Sequence, residues 1–279
     1  MKKRIKKSYI IIGAVAIVVI SVLLVMPTIL NVVKYNKAVK WMESGEYQKA
    51  IDAFRELEVY KDSKVKREEL VLQTQNEKLK NLKNVKVGDK FTLGMYELDG
   101  IDENGLEEVE WSVLDIQDGK ALIFCDNLVT YRSFDENTDY VSWEGSSIRS
   151  WLSGNFRESV FHESQLEYIK TTRNSNKGGW IIDQVLEKSR SKFSEKSTQD
   201  EVFLLSVDEY IKYESKIDKS MVIYDKKGER SEANGITWWS RSSGEDKGIC
   251  ACGYLMSKVE EDEANSMHAV RPAVWIEIK

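Results

Sequence analysis

The chain opens with an apolar stretch that differs from everything after it. Residues 9–26 contain no charged side chain, and mainly apolar residues continue to residue 33, just before Lys34. About 20 apolar residues cross the hydrocarbon core of a bilayer as a helix, because a helix pairs its backbone amides internally. The pattern therefore predicts a transmembrane helix over residues 9–33, with the lipid bilayer as its partner.

The orientation of this helix follows from the charges that flank it. Residues 1–7 contain five basic side chains and no acidic one. The positive-inside rule predicts that residues 1–8 form a cytoplasmic tail and that the chain after Lys34 is extracytoplasmic. A cleaved signal peptide is the alternative, although the apolar run exceeds the usual length of about 7–15 residues and lacks an A-x-A-like cleavage site. The remainder is exported under both interpretations.

Residues 34–84 have helical periodicity and predict a helical neck. Small and apolar residues recur along it at the spacing of a helical hairpin: Ala38, Trp41, Gly45, Tyr47, Ala50, Phe54 and Leu57. This spacing resembles one tetratricopeptide repeat, although Lys37-Ala38 stands where that family has Leu-Gly. Asp62 or Ser63 can cap a third helix that continues to about Leu82.

The neck is too short to form a repeat superhelix. Stacked repeats need about three units to bury their faces, and this chain has about one and a half. Two interpretations remain. The neck is either a stalk that packs on itself or on the outer domain, or a partner-docking or dimerising surface that uses Trp41, Tyr47 and Phe54.

From Val85 onwards, short strands and turns replace the helical pattern, which indicates an α+β domain over residues 85–279. Asp118-Gly119 is a strong two-residue hairpin signal, and Ser206 with Glu209 is a capping box that opens a helix continuing to Tyr213. Two further helices are predicted at Ser147–Leu152 and Glu163–Lys170. The predicted strands are Phe91–Tyr96, Glu110–Ile116, Lys120–Cys125, Val202–Leu205, Thr237–Ser242, Ile249–Ser257 and Ala269–Ile278.

Composition and charge narrow the classes of partner. Eight Trp and 10% aromatic residues indicate a packed core rather than disorder. Residues 85–279 carry 24 basic and 37 acidic side chains. Such a negative surface repels phosphate backbones, so nucleic-acid binding by this domain is not expected.

Four motifs occur in a fixed order in the outer domain. They are Trp143 with Ser146–Leu152, Val202–Ser206, Trp238–Ser242 and Val270–Ala273. As an ordered set they resemble an uncharacterised domain family of surface proteins of Gram-positive, often gut-dwelling, bacteria, over roughly residues 86–278. The resemblance implies an anchored surface domain, since that family often follows a membrane anchor and a repeat-like helical neck.

A more distant resemblance concerns the fold. The Trp238–Ser242 strand, a glycine-containing strand and a closing arginine strand are similar to the C-type-lectin-like fold, which includes formylglycine-generating enzymes and bacterial receptor-binding variable proteins. This resemblance implies a lectin-like α+β domain, but a fold does not determine a function.

The residue types that carry catalysis are sparse. The two histidines, His162 at a helix start and His268 before the last strand, have no metal-ligand spacing around them. We expect His162 to be exposed and structural. The acidic run Glu260–Glu263 lacks the glycine turn of a calcium loop, so we expect a solvated loop. The sequence predicts no catalytic residue, no metal and no cofactor.

The cysteines allow an alternative. Cys250 and Cys252 lie on one face of a predicted strand, with a Cα separation of about 6.8 Å that is near the upper limit for a disulfide. A bridge from Cys125 to either one leaves a thiol over. Formylglycine-generating enzymes use a cysteine pair separated by several residues to hold copper and oxidise a substrate thiol, and the C-x-C spacing departs from theirs.

Aromatic residues are the remaining candidates for ligand contact. Trp238 and Trp239 must point to opposite faces of one strand, so one lies in the core, while Trp239 either packs under a loop or offers a platform to a ligand. Trp180 follows Lys177-Gly178-Gly179 in a polar loop and is the aromatic side chain that we expect to be exposed. We expect Arg241 and Arg271 to form internal ion pairs.

These patterns favour a non-catalytic, membrane-anchored extracytoplasmic module that binds a protein or a cell-envelope glycan, with Trp180 and Trp239 as ligand contacts. The second hypothesis is an extracellular oxidoreductase that uses Cys250 and Cys252. The third is a structural subunit of a membrane complex that acts through the neck.

Overall fold

The protein is a mixed α+β structure that divides into two compact units. One unit takes in the chain up to Val71 together with Glu103–Gly105, and the other comprises Leu72–Asp102 and Leu106–Lys279. The computed structural model describes residues 26–57, 59–136, 142–183, 188–225, 228–244, 248–252 and 259–279, with the backbone alone at 248–252.

The smaller unit is a set of helices, as the neck pattern predicts. Residues 26–43 are helical and form the described part of α1, and Gly45, at a φ of 78°, makes the left-handed turn that leads into α2. The other α-helices among the described residues are α2 (Tyr47–Arg55), α3 (Ser63–Leu79), α4 (Ser147–Trp151), α5 (Arg157–Val160), α6 (Glu163–Leu166) and α7 (Val207–Tyr213).

Small residues let α1 and α2 approach each other. Ala38 and Ala50 are fully buried, and Phe54 is buried beside them, with its ring 5.9 Å from that of Tyr35. The third helix starts at Ser63, as predicted, and its first part belongs to this unit. Asp62, just before it, accepts a hydrogen bond from the Tyr35 hydroxyl.

The predicted membrane segment lies mostly outside the described residues. Of residues 9–33, only residues 26–33 are described, as the start of α1. Within the described part of the chain, none of the helices combines the length and apolar character that crossing a bilayer requires.

The larger unit contains all of the strands that the structure describes. Their bounds are β1 (Lys90–Tyr96), β2 (Glu107–Gln117), β3 (Lys120–Cys125), β4 (Tyr131–Arg132), β5 (Ile169–Lys170), β6 (Thr172–Asn174), β7 (Lys177–Gly178), β8 (Phe193–Ser194), β9 (Thr198–Asp200), β10 (Val202–Phe203), β11 (Met221–Tyr224), β12 (Arg230–Ala233), β13 (Trp238–Ser243), β14 (Gly248–Cys252), β15 (Val259–Glu263), β16 (His268–Ala269) and β17 (Ala273–Glu277).

The first sheet joins the two ends of the domain. Its order is β1-β2-β3-β17-β10, with β5 also paired to β17, and every pairing is antiparallel. The predicted hairpin between β2 and β3 is confirmed, since Asp118 and Gly119 adopt φ values of 49° and 70°. Two left-handed residues match the twist of antiparallel strands. The last strand of the chain therefore lies inside the sheet that the first strands begin.

The second sheet has the order β15-β14-β13-β16-β4. Its β13 and β16 are parallel, and the other neighbours are antiparallel. Three small two-stranded sheets complete the unit: β6 with β9, β7 with β8, and β11 with β12. Buried Trp side chains contribute to one hydrophobic core: Trp111, Trp143, Trp180, Trp238 and Trp239.

Three predicted elements differ from the structure. The helix expected over Glu163–Lys170 ends at Leu166, because Ile169–Lys170 pairs with β17 instead. The long strand expected over Ala269–Ile278 is two strands separated at Pro272, which has no amide hydrogen to donate. The acidic run Glu260–Glu263 belongs to edge strand β15 rather than to a loop, and pairing on one side only leaves most of its charges in solvent.

Candidate ligand-binding cleft

Arg241, on β13, forms the floor of a polar cleft although only 3% of it is exposed. Its Nε donates to Asn176 Oδ1 at 3.1 Å, and its Nη1 donates to the Leu204 carbonyl oxygen at 2.7 Å. Glu209 accepts hydrogen bonds from Nη1 and from Nη2, the latter at 3.0 Å. The predicted internal ion pair of Arg241 is confirmed, and these acceptors hold the guanidinium in one orientation.

A local sequence signal positions Glu209. Ser206 Oγ accepts from the Glu209 amide at 3.2 Å, and Glu209 Oε2 accepts from the Ser206 amide at 2.9 Å. The two contacts form the capping box that the sequence predicts, and α7 starts at Val207. The carboxylate that completes the cap also balances the charge of Arg241.

The segment from β6 to β9 supplies five of the nine residues that line the cleft. Asn176 links this segment to the floor, since its Oδ1 accepts from Arg241 while its Nδ2 donates to the Lys196 carbonyl oxygen at 2.9 Å. The register of β6 with β9 places Arg173 opposite Gln199. The segment is thus tied to β13 by side-chain hydrogen bonds as well as by its own pairing.

Asp200, at the end of β9, links the same segment to Trp143 and Arg149 by hydrogen bonds. Its Oδ1 accepts from Arg149 Nε at 2.7 Å. Its Oδ2 accepts from Trp143 Nε1 at 3.1 Å, Asn174 Nδ2 at 2.8 Å and Thr198 Oγ1 at 2.5 Å. Burial alone would raise the pKa of Asp200, but these donors, Thr198 first, outweigh burial and lower the pKa below its ordinary value.

The cleft has a volume of about 270 Å³. Its lining comes from residues 172–175, Lys177, Ser206, residues 208–209 and Arg241, and all nine side chains are polar or charged. Protein ligand pockets are usually lined mainly by apolar groups. This cleft is therefore suited to a ligand that is itself polar over most of its surface.

The two basic side chains at the rim of the cleft, Lys177 and Arg173, differ in whether they have an ion-pair partner. Lys177 Nζ lies 2.7 Å from Asp208 Oδ2, in a pair whose side chains are both about half exposed. Arg173 is exposed, and its side chain makes no ion pair or hydrogen bond with any described residue. The lining holds three cations and two anions, so its net charge is positive.

Trp180 does not lie where the sequence predicts. It is 2% exposed rather than open to solvent, because its amide donates to the Ser243 carbonyl oxygen at 3.1 Å and its backbone bridges to Gly244 beside β13. The polar residues before it are used in the pairing of β7 with β8. The expectation of an exposed Trp180 is wrong, and its ring offers no open face to a ligand.

Trp239 is also buried, with 1% exposed. Its ring packs against Phe134 and His268 at centroid distances of 5.8 and 4.4 Å, and its Nε1 donates to the Arg132 carbonyl oxygen. Its neighbour Trp238 packs against Tyr210 instead. The two rings occupy opposite faces of the strand, as predicted, and both are part of the core.

The two histidines have different surroundings. His162 is exposed and caps α6, which agrees with the prediction. His268 stands between two polar partners: its Nε2 is 2.7 Å from Asp262 Oδ2, and its Nδ1 is 2.5 Å from Thr237 Oγ1. A carboxylate that accepts the Nε2 hydrogen leaves Nδ1 to accept from the hydroxyl. Thr237 lies 31 positions before His268 in the sequence, so no local motif predicts this arrangement.

The cysteine hypothesis stays a prediction. Cys250 and Cys252 belong to β14, for which the structure describes the backbone and not the side chains. Cys125 is a fully buried free thiol, so the considered bridge from it to either cysteine is not formed. Burial raises the pKa of the Cys125 thiol, which disfavours the reactive thiolate.

Three carboxylates meet outside the cleft. One oxygen from each of Glu97, Asp99 and Glu107 lies within 4.8 Å of the others. Burial and a hydrogen bond with Asp99 raise the pKa of Glu97. Backbone amides donate to all three groups: Glu97 accepts from Gly100 and Ile101, Asp99 accepts from Ile101, and Glu107 accepts from Leu98.

The three neck residues predicted to contact a partner, Trp41, Tyr47 and Phe54, differ in how far they are exposed. Phe54 is fully buried within the helical unit, whereas Trp41 and Tyr47 are half-buried. Trp41 lies under the Lys37 ammonium at 4.5 Å and lines a groove of about 280 Å³. The structure thus places Phe54 in the packing and leaves part of Trp41 accessible.

Comparison with known proteins gives one match. A family model described as a domain of unknown function, DUF6273, matches residues 118–278. This range contains all four ordered motifs and the cleft. The chain matches no curated protein and no solved structure.

Proposed function

This chain belongs to the DUF6273 family of domains of unknown function, and from that premise we propose that it is a membrane-anchored, extracytoplasmic binding module whose protein or cell-envelope glycan ligand occupies the cleft above Arg241. The proposal assigns ligand binding and no catalysis to the domain. The observation that carries it is a concave surface lined by polar and charged side chains and built around a buried guanidinium with four hydrogen bonds.

A rigid floor favours binding because less conformational entropy is lost when a ligand docks. Arg241 is held by Asn176, Leu204 and Glu209 before any ligand arrives. Donors and acceptors that are already oriented need not be reorganised. The motif with Trp238–Ser242 therefore places a functional group on a strand of the sheet, which is more rigid than a loop.

The membrane anchor is supported by the exposed surface of α1. Met26, Ile29, Leu30 and Val33 are each more than half exposed, and their spacing forms one apolar stripe along the helix. Exposed apolar stripes of this kind mark contact with lipid or with another protein. The proposal places this stripe at the outer end of the bilayer-spanning helix over residues 9–33, with the N-terminus in the cytoplasm.

We also propose a lectin-like fold for the outer domain. Support comes from the strand order of the second sheet. In that sheet β13, which carries Arg241, pairs with the glycine-containing strand β14 and with β16, and β16 ends two residues before Arg271. The last strand, β17, lies beside β3. An experimental structure of the domain that matches no lectin-like protein after superposition would remove this part of the proposal.

The binding site can be tested by filling the cleft. Ser175 is exposed and lines the cleft, so Ser175→Trp is expected to block the site without disturbing the core. Ser159→Trp places the same side chain on an exposed position of α5 outside the cleft lining. Full-length protein in detergent micelles is incubated with Gram-positive cell envelopes, either intact or stripped of protein, and sedimented.

Wild type and Ser159→Trp should sediment with the envelopes, and Ser175→Trp should not. Retention on stripped envelopes assigns a glycan, whereas retention only on intact envelopes assigns a protein. Equal retention of both variants would show that the cleft is not the binding site. The anchor has its own test: protease added to intact cells should degrade the outer domain, and full protection would overturn the topology.

A second candidate function is docking of a membrane partner on the neck. The half-buried Trp41 and the groove it lines with Lys34 and Lys49 favour it. Trp41→Ala should then release a partner that co-purifies in mild detergent, while Ser175→Trp should retain it. The reverse pattern would assign the partner to the cleft.

A further inference from the structure

We propose that the ligand of the cleft is an acidic saccharide, whose anionic group binds Arg173 and the floor guanidinium of Arg241 while its hydroxyls bind the remaining polar lining. This inference rests on the proposed function and specifies its ligand class. It commits to a carbohydrate rather than to a peptide.

The composition of the lining favours a saccharide. All nine lining side chains are polar or charged, so no aliphatic or aromatic side chain of the lining is available to pack against a Leu, Phe or Val side chain of a peptide. Thr172, Asn174, Ser175 and Ser206 offer hydroxyl and amide groups. A sugar ring presents hydroxyls, which donate and accept, around most of its edge, and these groups suit that lining.

Arg173 provides a charge that none of the described residues pairs. It is exposed on β6, and its guanidinium makes no ion pair with the residues that the structure describes. A planar guanidinium pairs with a carboxylate, sulfate or phosphate through two parallel hydrogen bonds. Because Lys177 already pairs with Asp208, Arg173 is the rim group that is available to an incoming anion.

Arg241 supplies the second, deeper donor. An arginine carries five N–H donors, and four contacts to acceptors are made: to Asn176, to Leu204 and two to Glu209. One N–H on Nη2 is therefore unused among the described residues, on a side chain that lines the cleft and is 3% exposed. A ligand oxygen bound there gains a charge-assisted hydrogen bond.

The rim and the floor together account for selectivity. Three cations against two anions favour an anionic ligand, while Asp208 and Glu209 disfavour a densely charged one by repulsion. A saccharide with one acidic group per ring satisfies both conditions. A nucleic acid does not.

The test is a saccharide array probed with full-length protein in detergent micelles. The array carries matched oligosaccharides that differ only in a carboxylate, a sulfate, a phosphate or a neutral hydroxymethyl group, together with acidic peptides of similar charge. The variants are Arg173→Gln, which removes the rim cation without touching the core, and Arg190→Gln, which removes an exposed cation outside the cleft lining. Thermal melting of each variant reports whether it is folded.

Wild type and Arg190→Gln should bind one class of acidic saccharide and not its neutral counterpart. Arg173→Gln should bind that saccharide about tenfold or more weakly, as the loss of a charged hydrogen-bonded pair predicts. Equal binding of neutral and acidic members, preference for the acidic peptides, or no binding to any saccharide would overturn the inference. In each of these cases, the envelope assay separates the two proposals. If Ser175→Trp loses envelope binding and Ser159→Trp keeps it, the cleft remains the binding site and only the saccharide assignment is overturned. If Ser175→Trp binds envelopes as well as Ser159→Trp does, the saccharide assignment and the proposed function are both overturned.

Discussion

The guanidinium of Arg271 and the carboxylate of Asp126 form an ion pair in the protein interior, with Nη2 3.4 Å from Oδ1 and 0% and 2% of the two side chains exposed. Arg271 also donates to the carbonyl oxygens of Cys125 and Asp218. Its guanidinium lies 5.0 Å from the ring centre of Trp238. The arginine of the last motif is thus a brace between β3, β13 and the chain before β17, as the sequence led us to expect.

Replacing Arg271 should therefore be strongly destabilising. Arg271→Met leaves the buried Asp126 carboxylate with only the half-exposed Lys90, 3.5 Å away, as a cationic partner, and the free energy of unfolding should fall by about 3 kcal/mol. Denaturant titration followed by near-ultraviolet circular dichroism measures the change. Arg230→Met is the matched control, since its pair with Glu110 is partly exposed and should contribute less than about 1 kcal/mol. Similar losses in the two variants would refute the bracing role.

The carboxylate of Asp200 should make the protein sensitive to acid. Its pKa is lowered in the folded state, so it stabilises the fold above the pKa of the unfolded chain, about 3.9, and this stability is lost as the pH falls through the lower folded value. Wild type should accordingly lose stability below about pH 4. In Asp200→Asn this part of the pH dependence should be absent, with lower stability at pH 7. Parallel curves of unfolding free energy against pH would contradict the assignment.

Glu97 should behave in the opposite sense. Its pKa is raised by burial and by Asp99, so the folded state prefers the protonated acid, and its contribution to stability falls as the pH rises through the folded value. Glu97→Gln should stabilise the protein at pH 7 by about 1 kcal/mol, because an amide donor replaces a repelled oxygen. The gain should shrink in acid. The exposed control Glu136→Gln should change the melting temperature little, and destabilisation by Glu97→Gln would contradict the prediction.

Two glycines with nearly the same backbone angle should differ in tolerance. Gly94 and Gly100 have φ values of 77° and 78°. A Cβ on Gly94 would lie 2.6 Å from the Val160 carbonyl oxygen, whereas a Cβ on Gly100 would have no atom within 4 Å apart from its chain neighbours. Gly100→Ala should cost about 1–2 kcal/mol from the left-handed conformation alone. Gly94→Ala should cost about 3 kcal/mol or more, since backbone must also move. Thermal melting of both variants compares them, and equal costs would contradict the close approach.

Elements with a short-range cause were predictable along the chain. The Asp118-Gly119 turn, the Gly45 break and the capping box of Ser206 with Glu209 each depend on residues within a few positions of one another. The same physical chemistry acts in any fold, because left-handed angles and helix caps are local properties. The motif order likewise needed only the sequence, and its prediction of a domain of unknown function agrees with the family match over residues 118–278.

Elements that compete for distant partners were decided by the tertiary structure. Ile169–Lys170 follows a helical pattern but pairs with β17, more than 100 residues later, and Trp180 is drawn under β13 despite its polar flanks. The cleft joins residues near 173, 208 and 241, so its shape and its unused donor depend on long-range packing. Periodicity and spacing record which side chains prefer burial. Only the folded chain determines which of them meet, because the free energy of each contact depends on partners that are remote in sequence.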